Sequence, residues 1–239
     1  MLFYKKISNY YDKIFPLNKT TEEFLSKEFS ESKKILDLAC GDGKYTDVLA
    51  GEKRFVSGVD LDRGMLETAK EKYGSNPNAE FLEGNMLELS KIFTKDEFDG
   101  IFCIGNSLVH LTSLDLIERF IKETHFILKN NGRFIVQIIN YDRILDKNID
   151  FLPAIKNEGI EFIRNYHREE DSRIIDFHTI LKTPEGDIES HQDLYSIRKD
   201  ELINLFTLNG FIIENEYSSF GRDNWNEDSL QSIFVFLKK

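Results

Sequence analysis

A loop of small residues follows the first strand that the sequence predicts. The predicted strand 34–38 carries Asp37 and runs into Ala39-Cys40-Gly41-Asp42-Gly43, after which a helix is expected from about Lys44. Small residues allow a ligand to touch the backbone, and amide groups at a helix N-terminus can face a carboxylate or a phosphate. By itself, the loop is equally compatible with a strand-to-helix turn that binds nothing.

Groups suited to a nucleoside follow the next two predicted strands. Strand 55–59 ends in Asp60, whose carboxylate can accept hydrogen bonds from both hydroxyls of a ribose. Strand 79–82 is followed by Asn85 and Met86, which offer a polar group for an adenine edge and a thioether for its face. Because the carboxyl ends of parallel strands share one edge of a sheet, we expect these groups and the small-residue loop to form one ligand site.

Residues 33–142 resemble the class I S-adenosylmethionine (SAM)-dependent methyltransferases, whose first motif is acid-x-Gly-x-Gly-x-Gly. This chain has Asp37-x-Ala39-x-Gly41-x-Gly43, so an alanine replaces the first glycine. The resemblance implies an α/β fold with a Rossmann-like, doubly wound sheet of seven strands in the order 3-2-1-4-5-7-6, with strand 7 antiparallel. It also implies that the cofactor is SAM.

The resemblance assigns cofactor roles to individual positions. The small-residue loop would line the methionine moiety, and Asp60 would hold the ribose. Asn85 and Met86 would border the adenine, with Leu61 and Met65 on its opposite face. The cofactor-binding residues implied in this way are Tyr11, Asp37, Ala39, Cys40, Gly41, Gly43, Asp60, Leu61, Met65, Asn85, Met86 and Ile104.

A dinucleotide site is an alternative for the same loop. A pyrophosphate site requires Gly-x-Gly-x-x-Gly after the first strand, and the sequence has no such triplet there. An acidic loop containing Asp37 suits the ammonium and sulfonium charges of SAM better than it suits two phosphates. The sequence therefore favours SAM, and an NAD-binding oxidoreductase is the weaker alternative.

The loops after the fourth and fifth predicted strands resemble those of the glycine and sarcosine N-methyltransferase group. They read Gly105-Asn106-Ser107-Leu108-Val109-His110-Leu111 and Asn140-Tyr141-Asp142. The resemblance implies methylation of a small molecule, with an amine nitrogen as the preferred acceptor. Because an amine must lose its proton before it attacks, Asn106, His110 and Tyr141 are the candidate catalytic residues that would orient or deprotonate it. A SAM-binding sensor without turnover is the alternative, since the displacement requires no particular residue.

Several side chains have two interpretations. His110 is suited to accept a proton near neutral pH, or else it caps the next helix or fills the wall of the crevice. Tyr11 covers the cofactor, or it is buried because its helix packs on the sheet. Three arginines could each contact a substrate carboxylate or simply be solvated: Arg164, Arg168 and Arg222.

The pattern of elements predicts a single domain over residues 1–239. Alternating strands and helices indicate a parallel sheet, whose strands are predicted at 34–38, 55–59, 79–82, 98–104 and 133–139. The most regular predicted helix lies between the last two of these strands. It begins after Thr112 and Ser113 and ends at Asn130-Asn131-Gly132.

The pattern changes after residue 140. Three extended runs predict an antiparallel insertion within residues 143–197, which would form a lid over the substrate. The predicted strands of this lid are 160–168, 173–182 and 187–195. A helix at 199–209 and two closing strands at 211–217 and 231–237 are expected to follow.

Composition and charge exclude several other classes. A net charge of −11 would repel nucleic acid, and no apolar run is long enough for a membrane span. The N-terminus lacks a signal-peptide pattern, which predicts a cytoplasmic protein. Cys40 and Cys103 lie in apolar stretches as reduced thiols, and the spacing of His and Cys predicts no metal site. The expected partner is a small-molecule substrate, and the oligomeric state is left open.

Overall fold

The structure is a computed structural model that describes residues 10–239. The predicted parallel strands form its centre. The residues before Tyr10, in which the sequence predicts no targeting signal, lie outside the described residues. The helices are α1 Tyr11–Ile14, α2 Lys19–Glu28, α3 Lys44–Leu49, α4 Arg63–Tyr73, α5 Leu114–Ile127, α6 Tyr141–Asp146 and α7 Lys199–Leu208. The strands are β1 Lys34–Leu38, β2 Phe55–Asp60, β3 Ala79–Glu83, β4 Phe98–Cys103, β5 Leu128–Ile139, β6 Phe151–Asn157, β7 Ile160–His167, β8 Ile174–Thr183, β9 Gly186–Tyr195, β10 Phe211–Tyr217 and β11 Gln231–Lys238. Short 3₁₀ helices cover Leu89–Lys91 and Ser107–His110.

The main sheet has seven strands in the order β3-β2-β1-β4-β5-β11-β10. Strands β1 to β5 pair in parallel, and β11 is antiparallel to both β5 and β10. Because β10 and β11 are the sixth and seventh strands of this sheet along the chain, the predicted order is confirmed. Ile35, Leu36 and Leu38 of the central strand are fully buried, as expected for a parallel strand that is covered on both faces.

The helix before the fifth strand ends earlier than its sequence pattern predicts. Ser113 caps α5 as expected, because its hydroxyl accepts a hydrogen bond from the Leu116 amide at 3.3 Å. The helix stops at Ile127, however, so Asn130-Asn131-Gly132 lies within β5. Asn131 has a φ of 62°, and the β4–β5 pairing shifts register nearby. The Asn-Gly pair therefore makes an irregularity in the strand, not a helix C-cap.

The second sheet, called the small sheet below, is antiparallel and has the strand order β6-β7-β8-β9. The sequence predicts three of these strands correctly and misses β6. Most β6 side chains are exposed, so the alternating apolar pattern that marks β7 and β8 is absent from it. Pro153 lies within β6, which fits an edge strand because proline cannot donate a backbone hydrogen bond.

Helix α5 packs one apolar stripe against the main sheet. Ile117, Phe120 and Ile121 are buried on this stripe, whereas Asp115 and Lys122 are exposed. The spacing is that of an amphipathic helix at a protein surface. Within residues 10–239, no helix combines the length and apolar character that a bilayer crossing requires.

An aromatic cluster anchors α7 to the antiparallel side of the main sheet. The rings of Phe206 and Phe236 stack with centroids 4.0 Å apart, and Phe134 and Phe211 pack around them. All four side chains are buried. This cluster makes the closing strands part of the main core.

Replacing a ring in this cluster should destabilise the whole domain. Phe206→Ala is expected to lower the free energy of unfolding by about 3–5 kcal/mol, because it leaves a cavity in a close-packed core. Chemical denaturation measures the loss. Leu208→Ala, on the same helix but at a side chain that is 73% exposed, is the matched control and should change stability by less than about 0.5 kcal/mol. Equal losses in the two variants would contradict this account of the core.

Candidate active site

The loop after β1 turns sharply because alternate residues adopt left-handed backbone angles. The φ angle is 58° at Ala39, 57° at Gly41 and 79° at Gly43. A glycine takes this conformation freely, whereas an L-residue such as Ala39 carries a strain of about 1–2 kcal/mol. The amide of Cys40 donates to the carbonyl of Val59 at 3.1 Å, which holds the turn against the end of β2.

The two glycines of the loop face different surroundings. A Cβ added at Gly43 would lie 2.5 Å from the Phe81 ring, so packing requires glycine there. A Cβ added at Gly41 would lie 3.4 Å from the Met65 methyl and equally far from the Tyr11 hydroxyl. The structure thus brings together Tyr11, Gly41 and Met65, three of the predicted cofactor residues.

Asp60 links the loops that follow β1 and β2. Its Oδ2 accepts a hydrogen bond from the Gly41 amide at 2.8 Å, and its Oδ1 accepts one from the Asp62 amide at 2.8 Å. Burial raises the pKa of Asp60 from its ordinary value. A carboxylate has about four lone-pair positions, so two acceptor positions remain after these bonds. Asp60 can therefore hold the loop and still accept the two hydroxyls of a diol.

Asp37 is an acid almost entirely removed from solvent. The residue is 3% exposed, and its carboxyl accepts a hydrogen bond from the Thr46 hydroxyl at 2.8 Å. Burial raises the pKa of Asp37 to about 8, and the negative charges of Asp60 and Asp42 add to this effect. Burial also raises the pKa of the nearby Cys40 thiol, which is therefore a neutral packing group. A bound cation would stabilise the charged form of Asp37.

A network of charges fastens α1 over the small-residue loop. The buried Lys44 ammonium lies 2.9 Å from an Asp12 carboxylate oxygen, 3.4 Å from one of Asp42 and 5.0 Å from the centre of the Tyr11 ring. Lys72 pairs with the same two acids. Burial and the Asp12 carboxylate raise the pKa of Asp42 to about 6. The network positions Tyr11 beside Gly41.

Sequence reasoning missed this network. Asp12 and Lys72 are 60 residues apart, and only the packed fold joins them. The one local signal was Lys44, a charged residue at the start of α3, the helix that follows the small-residue loop. A lysine there is usually solvated, so the sequence alone gave no reason to expect it to be buried.

The residues predicted to contact an adenine lie on the loops after β2 and β3. Leu61 is 48% exposed, which is unusual for a leucine beside a buried strand and leaves an apolar surface next to Asp60. The side-chain oxygen of Asn85 accepts a hydrogen bond from the Leu87 amide at 2.9 Å. Met86 packs against the main core, and part of its surface is accessible. The loops therefore present one polar and two apolar side chains at this edge of the sheet.

Asn106 joins the ends of β4 and β5. It has a φ of 68°, its Oδ1 accepts from the Ile139 amide at 2.9 Å, and its Nδ2 donates to the Tyr141 hydroxyl at 3.1 Å. The Gly105 amide donates to the Gln137 side chain at 2.6 Å. The predicted Asn106 and Tyr141 are thus direct partners, and Gln137 is a further positioning residue that the sequence analysis did not identify. The predicted Ile104 lies just before this loop, where its carbonyl accepts from the Ser107 hydroxyl at 3.0 Å.

Tyr141 and His110 are both held in neutral forms. Burial raises the pKa of the Tyr141 phenol well above its ordinary value, and burial lowers the pKa of His110. The 3₁₀ helix Ser107–His110 lies against β9 of the small sheet. Because Ser113 caps α5, the interpretation of His110 as a cap is wrong.

The arginines considered from the sequence separate into two groups. Arg222 lies 2.5 Å from Glu28 and stacks on the Phe24 ring at 4.7 Å, so it fastens a loop to α2. Arg168 donates to a carbonyl in its own turn. Arg164 is part-buried on the inner face of the small sheet, where it donates to the Pro153 carbonyl at 2.6 Å. Arg164 alone shares its environment with the core-facing side chains of that sheet.

Comparison with known proteins agrees with this geometry. Residues 35–132 match a family model described as "Methyltransferase domain". A Bacillus subtilis protein named "Putative methyltransferase YqeM" is 30% identical over 166 residues, which are 68% of this chain and 66% of the relative. A glycine/sarcosine N-methyltransferase of Aphanothece halophytica is 25% identical over 233 residues, covering 91% of this chain and 81% of that protein.

A solved structure shares the whole fold. An S-adenosylmethionine-dependent methyltransferase from Clostridium acetobutylicum superposes with a TM-score of 0.83 at 17% identity, over 98% of both chains. The seven-stranded order, the small-residue loop after β1 and the acid at the end of β2 agree with the family match. This chain belongs to the class I SAM-dependent methyltransferases.

Proposed function

We propose that this enzyme transfers the methyl group of SAM to an amine nitrogen of a small molecule. The observation that carries the proposal is the hydrogen-bonded pair Asn106 and Tyr141 at the ends of β4 and β5, with His110 nearby on the same loop. These three groups are uncharged near neutral pH, an environment that favours the neutral form of an amine. The glycine/sarcosine N-methyltransferase relative, which aligns with most of this chain, supports the same acceptor class.

The cofactor would lie along the loops after β1, β2 and β3. We assign the ribose hydroxyls to Asp60, which retains two acceptor positions, and the adenine to Leu61 and Asn85. The methionine moiety would lie against Gly41, with Tyr11 above it. Asp37 supports the fit, because a buried acid with a raised pKa favours a ligand that carries positive charge.

The chain's own residues would prepare the acceptor. SAM, when bound, supplies a methyl group that is already activated by the sulfonium. Tyr141 would orient the acceptor nitrogen through its hydroxyl, which Asn106 holds in place. His110 would accept the proton that the amine loses, since burial keeps its imidazole neutral. Alignment of the two reactants would supply most of the rate enhancement.

The small sheet would act as a lid over the acceptor. In this proposal residues 1–239 form one domain, and residues 143–197 cover the substrate. Tyr166 of β7 is buried in the same cluster as Tyr141, and Arg164 shares its strand face by the period of two. Water would be excluded from the space between the two sheets.

Product identification tests the acceptor class directly. The purified enzyme, incubated with methyl-labelled SAM and a panel of small amines, alcohols and thiols, is expected to form S-adenosylhomocysteine only with amines. Mass spectrometry locates the labelled methyl on nitrogen. Labelled products confined to oxygen, sulfur or carbon would refute the amine acceptor. Binding of SAM with no turnover on any acceptor would favour a SAM sensor.

Asp60 should dominate recognition of the ribose. Asp60→Ala is expected to weaken SAM binding by about 1–3 kcal/mol, because two hydroxyls lose a charged acceptor. Isothermal titration calorimetry measures the change, and circular dichroism checks the fold. Glu83→Gln changes an exposed acid at the end of the adjacent strand and should leave the affinity within about twofold. Unchanged binding by Asp60→Ala would remove Asp60 from the cofactor site.

The buried acid Asp37 should make stability depend on pH. Its pKa is about 8 in the folded chain and about 3.9 when unfolded, so between these values the folded state binds more protons. The free energy of unfolding therefore falls as pH rises through this window. Asn cannot titrate, so Asp37→Asn should lose less stability than the wild type between about pH 5 and about pH 8.

Denaturant unfolding at several pH values tests this linkage. Asp115→Asn, a change at an exposed acid on α5, is the control and should follow the wild-type profile. Parallel pH profiles for Asp37→Asn and the wild type would show that Asp37 does not titrate in this window.

A further inference from the structure

A cluster of histidines and carboxylates lies on the outer face of the small sheet. Strands β8 and β9 form a hairpin in which Thr183 pairs with Gly186, and this register places His178 directly opposite His191. Side chains two residues apart share a face, so Glu189 lies on the same face as both histidines. The opposite face carries Tyr166 and Leu181, which are buried. The cluster is thus separate from the active site.

Three donor atoms in this cluster converge. The Nε2 of His178 lies 2.5 Å from Oε1 of Glu189, and the Nε2 of His191 lies 3.9 Å from the same oxygen. The two imidazole rings are stacked at 4.4 Å with an interplanar angle of 11°. The ligating atoms of these three residues all lie within 4.8 Å of one another. Tetrahedral zinc ligands are about 3.3 Å apart, so rotation of the two stacked rings about their side-chain bonds would bring all three atoms onto one ion.

A second carboxylate orients one of the histidines. The Nδ1 of His191 lies 2.9 Å and 3.0 Å from the two oxygens of Asp176. A carboxylate on Nδ1 fixes the tautomer that leaves the Nε2 lone pair free, which is the usual arrangement around a metal-bound histidine. Here the Nε2 of His191 lies 3.9 Å from Oε1 of Glu189. The cluster therefore has both the ligands and the outer support of a metal site.

We propose that His178, Glu189 and His191 bind one zinc ion, or a similar late divalent metal ion, that clips β8 to β9. Two imidazole nitrogens and one carboxylate oxygen suit such a cation, whereas Ca²⁺ and Mg²⁺ require oxygen ligands. The fourth position faces solvent, since Glu189 and His191 are more than half exposed. The ion stabilises the small sheet and takes no part in methyl transfer. The sequence spacing gave no sign of this site because the ligands come from two strands.

Metal titration of the full-length chain tests the proposal. Tag-free protein, freed of metal with a chelator, is titrated with Co²⁺ by visible absorption and with Zn²⁺ by calorimetry. We expect one ion per chain, a tetrahedral Co²⁺ spectrum and a higher melting temperature with Zn²⁺. Absence of stoichiometric binding, or binding of several ions with no tetrahedral spectrum, would overturn the proposal.

Variants locate the site. His191→Asn and Glu189→Gln should each remove the tetrahedral Co²⁺ spectrum, and Asp176→Asn should weaken binding by about 10- to 100-fold through the lost support of His191. His125→Asn, a change at a histidine on α5, is the matched control and should bind metal like the wild type. Circular dichroism confirms that each variant is folded. Equal affinities for the control and the cluster variants would place any bound ion elsewhere and refute the assignment.

Discussion

The arrangement of the loops at the carboxyl ends of β1 and β2 depends on the two hydrogen bonds that Asp60 accepts. One bond fixes the small-residue loop after β1 and the other fixes the start of the loop after β2, so the two loops keep one relative position. Asp62 in turn caps α4 by accepting from the Met65 amide, which directs the Met65 side chain over Gly41. The Asp60 carboxylate thereby fixes the positions of the two loops relative to each other. The strained Ala39 is tolerated because these bonds hold the turn.

Charge is distributed unevenly around this edge. Asp37, Asp42 and Asp60 lie close together, and burial raises the pKa of each. Lys44 and Lys72 offset part of this charge from beneath α1. Burying acids costs free energy unless they become neutral or a positive partner is present, and Lys44 and Lys72 are such partners for Asp42.

The two sheets present different groups of side chains on their faces and edges. The main sheet presents its loops at one edge, and the inner face of the small sheet packs beside Tyr141. The outer face of the small sheet carries His178 and His191, whose positions follow from the hairpin register. Successive side chains along a strand point to opposite faces of the sheet. The same strand can therefore contribute side chains to the core on one face and to the exposed histidine cluster on the other. The aromatic cluster around Phe206 secures the far side of the main sheet.

The sequence by itself determined the strand and helix pattern, the small-residue turn and the acid at the end of β2. These features depend on local periods and backbone sterics, which act over a few residues. It missed β6, because an exposed edge strand has no apolar alternation, and it extended α5 into the Asn-Gly irregularity of β5. Only the tertiary structure decided that Asn106 bonds to Tyr141, that Lys44 is buried among acids and that His178 meets His191. Those contacts depend on how distant elements pack, and short-range sequence patterns carry no information about that packing.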